Sequence, residues 1–347
     1  MTARRAPQFP PHSGFYTALR AAVHQEIAAD EPRDPPAIYA KIAVIVAATI
    51  ALYAAYLSLS GWVALVLALP FGLLLAAIGF NVQHDGGHES LSRVRFVNRL
   101  AAFSLDLLGG SSYVWRWKHN VYHHTYPNIG GVDSDIEIAP IGRLAEFQQR
   151  HWVHRYQHVY LWFLYALLPL KWHFVDDFRD VLRGRIGDMP LPRPRGLELV
   201  MFVTGKAAFF ITTFVVPSLV HGVPFALTFY LLTSVVVGLT LSVVFQLAHC
   251  VEDTAFYAGA AADEWAVHQI ATTMNFAPRS RVLGAFVGGL NFQIEHHLFP
   301  RISHVHYPRI APVVQRICAE RGVAYHLHDT FGAALRSHYR MLRANGR

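Results

Sequence analysis

Four stretches of the chain stay apolar for long enough to cross a bilayer, which takes roughly 20 helical residues. They are Ile38–Ser58, Trp62–Val82, Leu199–Val220 and Val223–Leu247. Little more than Ser60-Gly61 separates the first two and His221-Gly222 the last two, so the pattern predicts two helical hairpins with very short turns. Two weaker apolar stretches, Leu100–Val114 and His158–Phe174, are short and interrupted by Asp106, Gly109-Gly110 and Lys171, and read as helices lying at the membrane interface. Lys and Arg cluster outside the short turns, at Arg4, Arg5, Arg20, Arg33 and Lys41 and again at Arg93, Arg95, Arg99, Arg116 and Lys118. The positive-inside rule then places both termini and the central region on the cytoplasmic side.

This organisation predicts one all-α integral membrane domain: a tail over 1–37, a first hairpin over 38–82, a cytoplasmic and interfacial block over 83–198, a second hairpin over 199–249 and a second cytoplasmic block over 250–347. The two blocks form a helical cap. Within the third span, Lys206 is expected to snorkel to the cytoplasmic surface, with a grip on a substrate headgroup as the alternative.

Composition agrees with a membrane bundle that carries a large polar part: 53% of the 347 residues are hydrophobic and 15% charged. The net charge of +7 is dispersed among apolar runs, which suits anionic lipid headgroups and gives no footprint for nucleic acid. Cys250 and Cys318 are too few for a disulfide scaffold, and Arg4-Arg5 is followed by a Pro-rich stretch, not by the apolar core of a cleaved signal.

The candidate chemistry lies in three histidine clusters: His84-Asp-Gly-Gly-His88, His119-Asn-Val-Tyr-His123-His124 and Gln293-Ile-Glu-His296-His297. Neutral imidazole binds borderline metals without adding charge. Helical spacing puts His84 with His88, and His119 with His123, on one face each, so each pair is expected to chelate one ion. The second and fourth spans end at one membrane face, which brings His84, His88 and His249 together, and the two blocks add the other five. Eight nitrogen donors are too many for one ion, so two metals are expected. Gln293, one turn before His297, is a possible weak ligand. His151, His154 and His158 read as an interfacial face, His304-Val-His306 as a weaker candidate, and His12, His24, His173, His221 and His338 as surface or packing residues.

The phrase at 84–88, the run from His119 to Asn128 continuing into Asp133-Ser-Asp-Ile-Glu137, and Asn291-Phe-Gln-Ile-Glu-His-His-Leu-Phe-Pro300 resemble the three histidine boxes of the membrane fatty acid desaturases. The Gln that opens the third box resembles the front-end subgroup, which acts between an existing double bond and the carboxyl end. The resemblance covers roughly Ala37 to Pro312, and Phe245-Gln-Leu-Ala-His249 and His268-Gln-Ile-Ala-Thr-Thr-Met-Asn275 also look like family segments. It implies His84, His88, His119, His123, His124, His249, His296 and His297 as ligands of two irons, with His268 as a further candidate.

It also implies O2 as co-substrate and a cis double bond placed in a lipid- or CoA-linked acyl chain. Asp85, Asp133, Asp135, Glu137 and Glu295 are candidates to orient ligand imidazoles from behind. Many front-end members carry a fused cytochrome b5 domain with a His-Pro-Gly-Gly motif; that motif does not occur here, so a separate donor such as ferredoxin or cytochrome b5 with its reductase is expected. Phe245 stands where related stearoyl-type enzymes have Asn. A hydroxylase of the same fold, a zinc-dependent membrane hydrolase and a non-enzymatic metal carrier or lipid-binding membrane protein are the other readings.

Overall fold

The computed structural model describes residues 6–27 and 35–347; Arg4, Arg5 and Arg33, counted above toward the topology, lie outside them. The N-terminal segment is more than a tail. Phe15–Glu26 forms helix α1, whose Phe15, Leu19 and Val23 are buried in a core shared with Ile310 and Val314 from the far end of the chain. Their i, i+4, i+8 spacing gives the helix one apolar face, and that face is the one covered.

Four helices are long and apolar enough to cross a membrane, and they coincide with the four expected segments. The first pair is α2 (Pro36–Ser58) and α3 (Gly61–Gly87). Pro36 sits in the first turn of α2, where its missing N–H costs nothing. Val44 and Ile50 of α2 are 69% and 64% exposed, which apolar side chains tolerate when the surrounding solvent is lipid. Between the pairs lie α4 (Arg95–Leu107), a short α5 (Ser112–Trp115) that widens into a π-helical stretch at Arg116–His123, α6 (Gln157–Ala166) and α7 (Asp177–Arg183). The weaker apolar stretches therefore fall partly on α4 and α6; the first is broken at Gly109-Gly110, where Gly109 takes φ +94°.

The second pair is α8 (Leu197–His221) and α9 (Val223–His249). A Cβ on Gly72 of α3 would lie 2.7 Å from the Val236 side chain of α9, so this glycine permits the close approach of the two helices. The remainder contains α10 (Trp265–Ala271), α11 (Gln293–Leu298), α12 (Tyr307–Glu320) and α13 (Phe331–Asn345). Strand is confined, among the described residues, to two pairs of two-residue segments: Arg185–Ile186 with Met189–Pro190, and Asn275–Phe276 with Leu327–His328.

Lys206 does not snorkel. It is 5% exposed, and its Nζ donates to the Asp177 carboxylate at 2.7 Å and to the Gly109 carbonyl at 2.5 Å. An aspartate on α7 supplies a partner inside the protein, so the ammonium need not reach water.

Candidate metal centre

All eight box histidines are buried, between 1% and 8% exposed. Helix α3 carries His84 in its last turn and ends at His88; the π-helical stretch after α5 carries His119 and His123, with His124 next; α9 ends on His249; α11 carries His296 and His297. They form two groups. His84, His88, His119, His124 and His296 have donor atoms within 4.8 Å of one another, and His123, His249 and His297 do likewise.

The expectation that His119 and His123 chelate one ion gives way here. In the π-helical stretch the His124 N–H donates to the His119 carbonyl at 2.8 Å, five residues back, so residues five apart come onto one face. His119 pairs with His124, their Nε2 atoms 3.1 Å apart, and His123 turns to His249, Nε2 to Nε2 3.3 Å. His119 Nε2 is also 3.1 Å from His88 Nε2. Separations of ~3 Å suit neighbouring ligands at right angles on an ion with bonds of ~2.1 Å. The buried Nε2 atoms of His84, His296 and His297 have no hydrogen-bond partner among the described residues, and an unpartnered buried nitrogen is costly without a ligand. The residues fit a pair of metal ions.

The far sides of the rings are held by residues from other segments. His123 Nδ1 is 3.1 Å from the Asp133 carboxylate, His249 Nδ1 is 3.1 Å from the Thr272 carbonyl, and His296 Nδ1 is 3.1 Å from the Tyr307 hydroxyl. His297 Nδ1 lies 2.9 Å from the Gln269 side-chain amide. Burial first, and then mutual repulsion, push His88, His119, His124, His296 and His297 well below the ordinary histidine value. They are neutral, the form with a free lone pair. Burial would also lower His123, but the Asp133 carboxylate outweighs it and raises the group. The orienting roles of Thr272, Gln269 and Tyr307 escaped the sequence, which carries no local sign of partners so distant along the chain.

Other expected residues sit elsewhere. Asp85 faces no box histidine in hydrogen-bond contact; its carboxylate is 2.6 Å from Nδ1 of His304. Helix α3 aims the Asp85 side chain away from His84, its sequence neighbour. Asp135 pairs with Lys118 at 2.9 Å and is 3.7 Å from His123 Nδ1. His268 belongs to neither histidine group: its Nε2 is 3.0 Å from the Pro127 carbonyl, and its ring packs against Phe9 and Tyr257. Gln293 is buried in the first turn of α11. Glu295 bonds to Asn275 and Tyr325, at 2.7 and 2.9 Å, and Glu137 accepts from the Gly131 N–H, so neither orients a ligand ring. His151 and His154 bond within their own turn and to Pro140.

An apolar cavity of about 400 Å³ opens among the membrane helices, with His84 and Trp115 in its wall and Tyr56, Phe71 and Phe229 at its far end. Beside it lies a charged cleft of about 280 Å³ lined by Lys118, Arg183 and Arg185 among others. Leu105, Gly110, Trp115 and Trp172 border both.

A sequence model of the fatty acid desaturase family matches residues 60–328. The chain is similar to the sn-1 linoleoyl-lipid 6-desaturase of Arthrospira platensis, 36% identical over 345 residues and covering 95% of this chain and 92% of that protein. It is 39% identical over 343 residues to the acyl-lipid (8-3)-desaturase of Physcomitrium patens, covering 96% of this chain and 72% of the relative. It is 35% identical over 357 residues to the sn-1 linoleoyl-lipid 6-desaturase of a Synechocystis species, covering 100% and 99%. With the family match spanning three histidine boxes that meet among membrane helices, the chain belongs to the fatty acid desaturase family.

Proposed function

We propose that this oxidoreductase introduces a cis double bond into the acyl chain of a membrane lipid at a centre of two irons. One iron would be held by His84, His88, His119, His124 and His296, the other by His123, His249 and His297. The observation that carries the reading is that the two imidazole groups converge where the apolar cavity reaches His84.

An unactivated methylene has no useful acidity near neutral pH, so side-chain acid–base chemistry cannot remove its hydrogens. Bound iron supplies the redox activation of O2 that the protein's own groups lack. The chain's part is to bind and to aim. Asp133, Thr272, Tyr307 and Gln269 hold the distal nitrogens, which fixes each ring's direction. The apolar cavity holds the methyl-ended part of the substrate as a single file of methylenes, and the charged cleft across Trp115 and Trp172 takes its polar end. Asp135, tied to Lys118, supports His123 from beside Asp133, 3.7 Å from the same Nδ1; Gln293 lies near enough in sequence to serve as an outer ligand.

Forming one C=C while O2 becomes two waters consumes two electrons and two protons besides the two hydrogens removed. A separate carrier such as ferredoxin, or cytochrome b5 with its reductase, supplies the electrons, and the protons come from solvent. The concentration of Lys and Arg away from the short turns supports a cytoplasmic site with both termini on that side.

The test is expression in a host with such a donor, mass spectrometry of fatty acid derivatives that locates new unsaturation, and metal analysis of the purified protein. Two irons per chain and an O2-dependent olefin are expected. A hydroxylated product, or two zinc ions in active protein, would overturn the reading.

A further inference from the structure

Four arginines converge at the start of α6: Arg150, Arg155, Arg343 and Arg347 line a shallow cup with Tyr156, His158 and Tyr339. No carboxylate pairs with any of the four among the described residues, whereas other arginines, such as Arg179 and Arg316, do find one. The cup is assembled from two distant stretches. Arg150 Nε donates to the Gly346 carbonyl at 3.1 Å, which brings the end of α13 and Arg347 against the 150s. Arg155 lies over the ring of Tyr156, 4.9 Å from its centroid. His158 Nδ1 is a buried nitrogen on the same cup with no partner among the described residues. Burial first, and then Arg343 and Arg347, lower the pKa of that histidine, as expected in a field of uncompensated positive charge.

A second feature adjoins it. Trp152, Tyr156, Val159 and Phe163 are exposed by 78%, 50%, 53% and 72%; the first two lie on the 3-10 turn Trp152–Tyr156 that leads into α6, and Val159 and Phe163 are one turn apart on α6 itself. The opposite side of α6 is committed to the membrane bundle: a Cβ on Gly238 of α9 would lie 2.5 Å from the Tyr165 carbonyl, and Leu161 and Tyr165 are buried. On α9, Leu231, Leu232 and Val235 are also exposed. An apolar stripe capped by unpaired arginines is the arrangement that seats a helix in the headgroup region.

We infer that Arg150, Arg155, Arg343 and Arg347 form a binding site for the phosphate of an anionic membrane lipid, whose acyl chains lie along the Trp152–Phe163 stripe. Guanidinium forks suit a phosphodiester, and four of them with no side-chain carboxylate paired to any leave room for its charge. The site is separate from the histidine centre and from both substrate cavities, and does not depend on what the enzyme oxidises.

Native mass spectrometry of the detergent-purified full chain, titrated with equimolar phosphatidylglycerol and phosphatidylcholine, tests it. The wild-type chain should retain phosphatidylglycerol in preference, and R155Q/R343Q/R347Q should lose that preference by tenfold or more, given roughly fivefold for each charge removed. W152S/F163S should weaken retention of both lipids and spare the choice between them. Metal content and thermal midpoint, unchanged in both variants, control for folding, since the substituted side chains are on the surface. Equal retention by the wild type and the arginine variant would overturn the inference. Displacement of phosphatidylglycerol by millimolar inorganic phosphate would reassign the cup to a soluble anion. An unchanged lipid preference with a raised carrier concentration for half-maximal turnover would reassign it to an acidic protein.

Discussion

The Asp85 carboxylate accepts from the His304 imidazole across 2.6 Å, and Lys41 Nζ lies 2.9 Å from the other nitrogen of the same ring. This buried chain ties the first histidine box to α2 and to the loop after the third box, so His304 anchors the centre without entering it. His304→Phe leaves a buried carboxylate unpaired and should destabilise by about 3–5 kcal/mol. The double variant Asp85→Leu/His304→Phe should recover part of that loss, because the carboxylate is then no longer orphaned. Thermal unfolding of the purified chains, with iron content alongside, checks this; equal midpoints for the single and double variants would exclude the coupling.

His123→Ala and His297→Ala should each remove product and lower bound iron, because both belong to the three-histidine group, the smaller of the two. His268→Ala should leave iron near the wild-type amount, since the ring faces Pro127, Phe9 and Tyr257. Metal analysis of membrane-inserted protein distinguishes the cases. Iron loss at His268 equal to that at His123 would contradict the geometry.

His338 is a packing residue of consequence. It is 1% exposed, Nδ1 is 2.6 Å from the Cys250 carbonyl and Nε2 is 2.9 Å from the Tyr165 hydroxyl. Burial depresses its pKa from 6.5 to about 4, against a smaller raising effect of the Cys250 carbonyl. The unfolded chain thus binds this proton more readily than the folded one. Its contribution to stability is complete above pH 6.5 and is lost as pH falls toward 4, by about 3 kcal/mol in all. His338→Gln should flatten the decline in thermal midpoint between pH 6.5 and 4.5; an unaltered slope would place the acid sensitivity elsewhere.

At the far end of the apolar cavity, Tyr56 and Phe229 stack with centroids 3.6 Å apart. Phe229→Ala should extend the cavity and shift the product profile toward longer acyl chains, with iron content unchanged. Chain-length analysis of products from mixed substrates reads this directly, and an unshifted profile would show that the stack does not limit the chain.

The membrane spans were legible because a bilayer demands about 20 continuous apolar residues, and few other constraints write so long a signature. The eight box histidines were legible for a related reason: imidazoles that dense, next to spans ending at one face, have little use except a shared ligand. Spacing failed at the next level. His119 and His123 read as an α-helical pair, but one widened turn hands the partnership to His124 and sends His123 to the other group.

What the sequence by itself determined is which segments are apolar, where the donors lie and which family the boxes resemble. Only the tertiary structure decided how the donors divide, that Lys206 meets Asp177 instead of solvent, that Asp85 serves His304, and that Thr272, Gln269 and Tyr307 stand behind the rings. Apolar length and residue type are local properties, summed along the chain. A hydrogen bond between positions 219 residues apart depends on where two backbones meet, and no local pattern encodes that meeting.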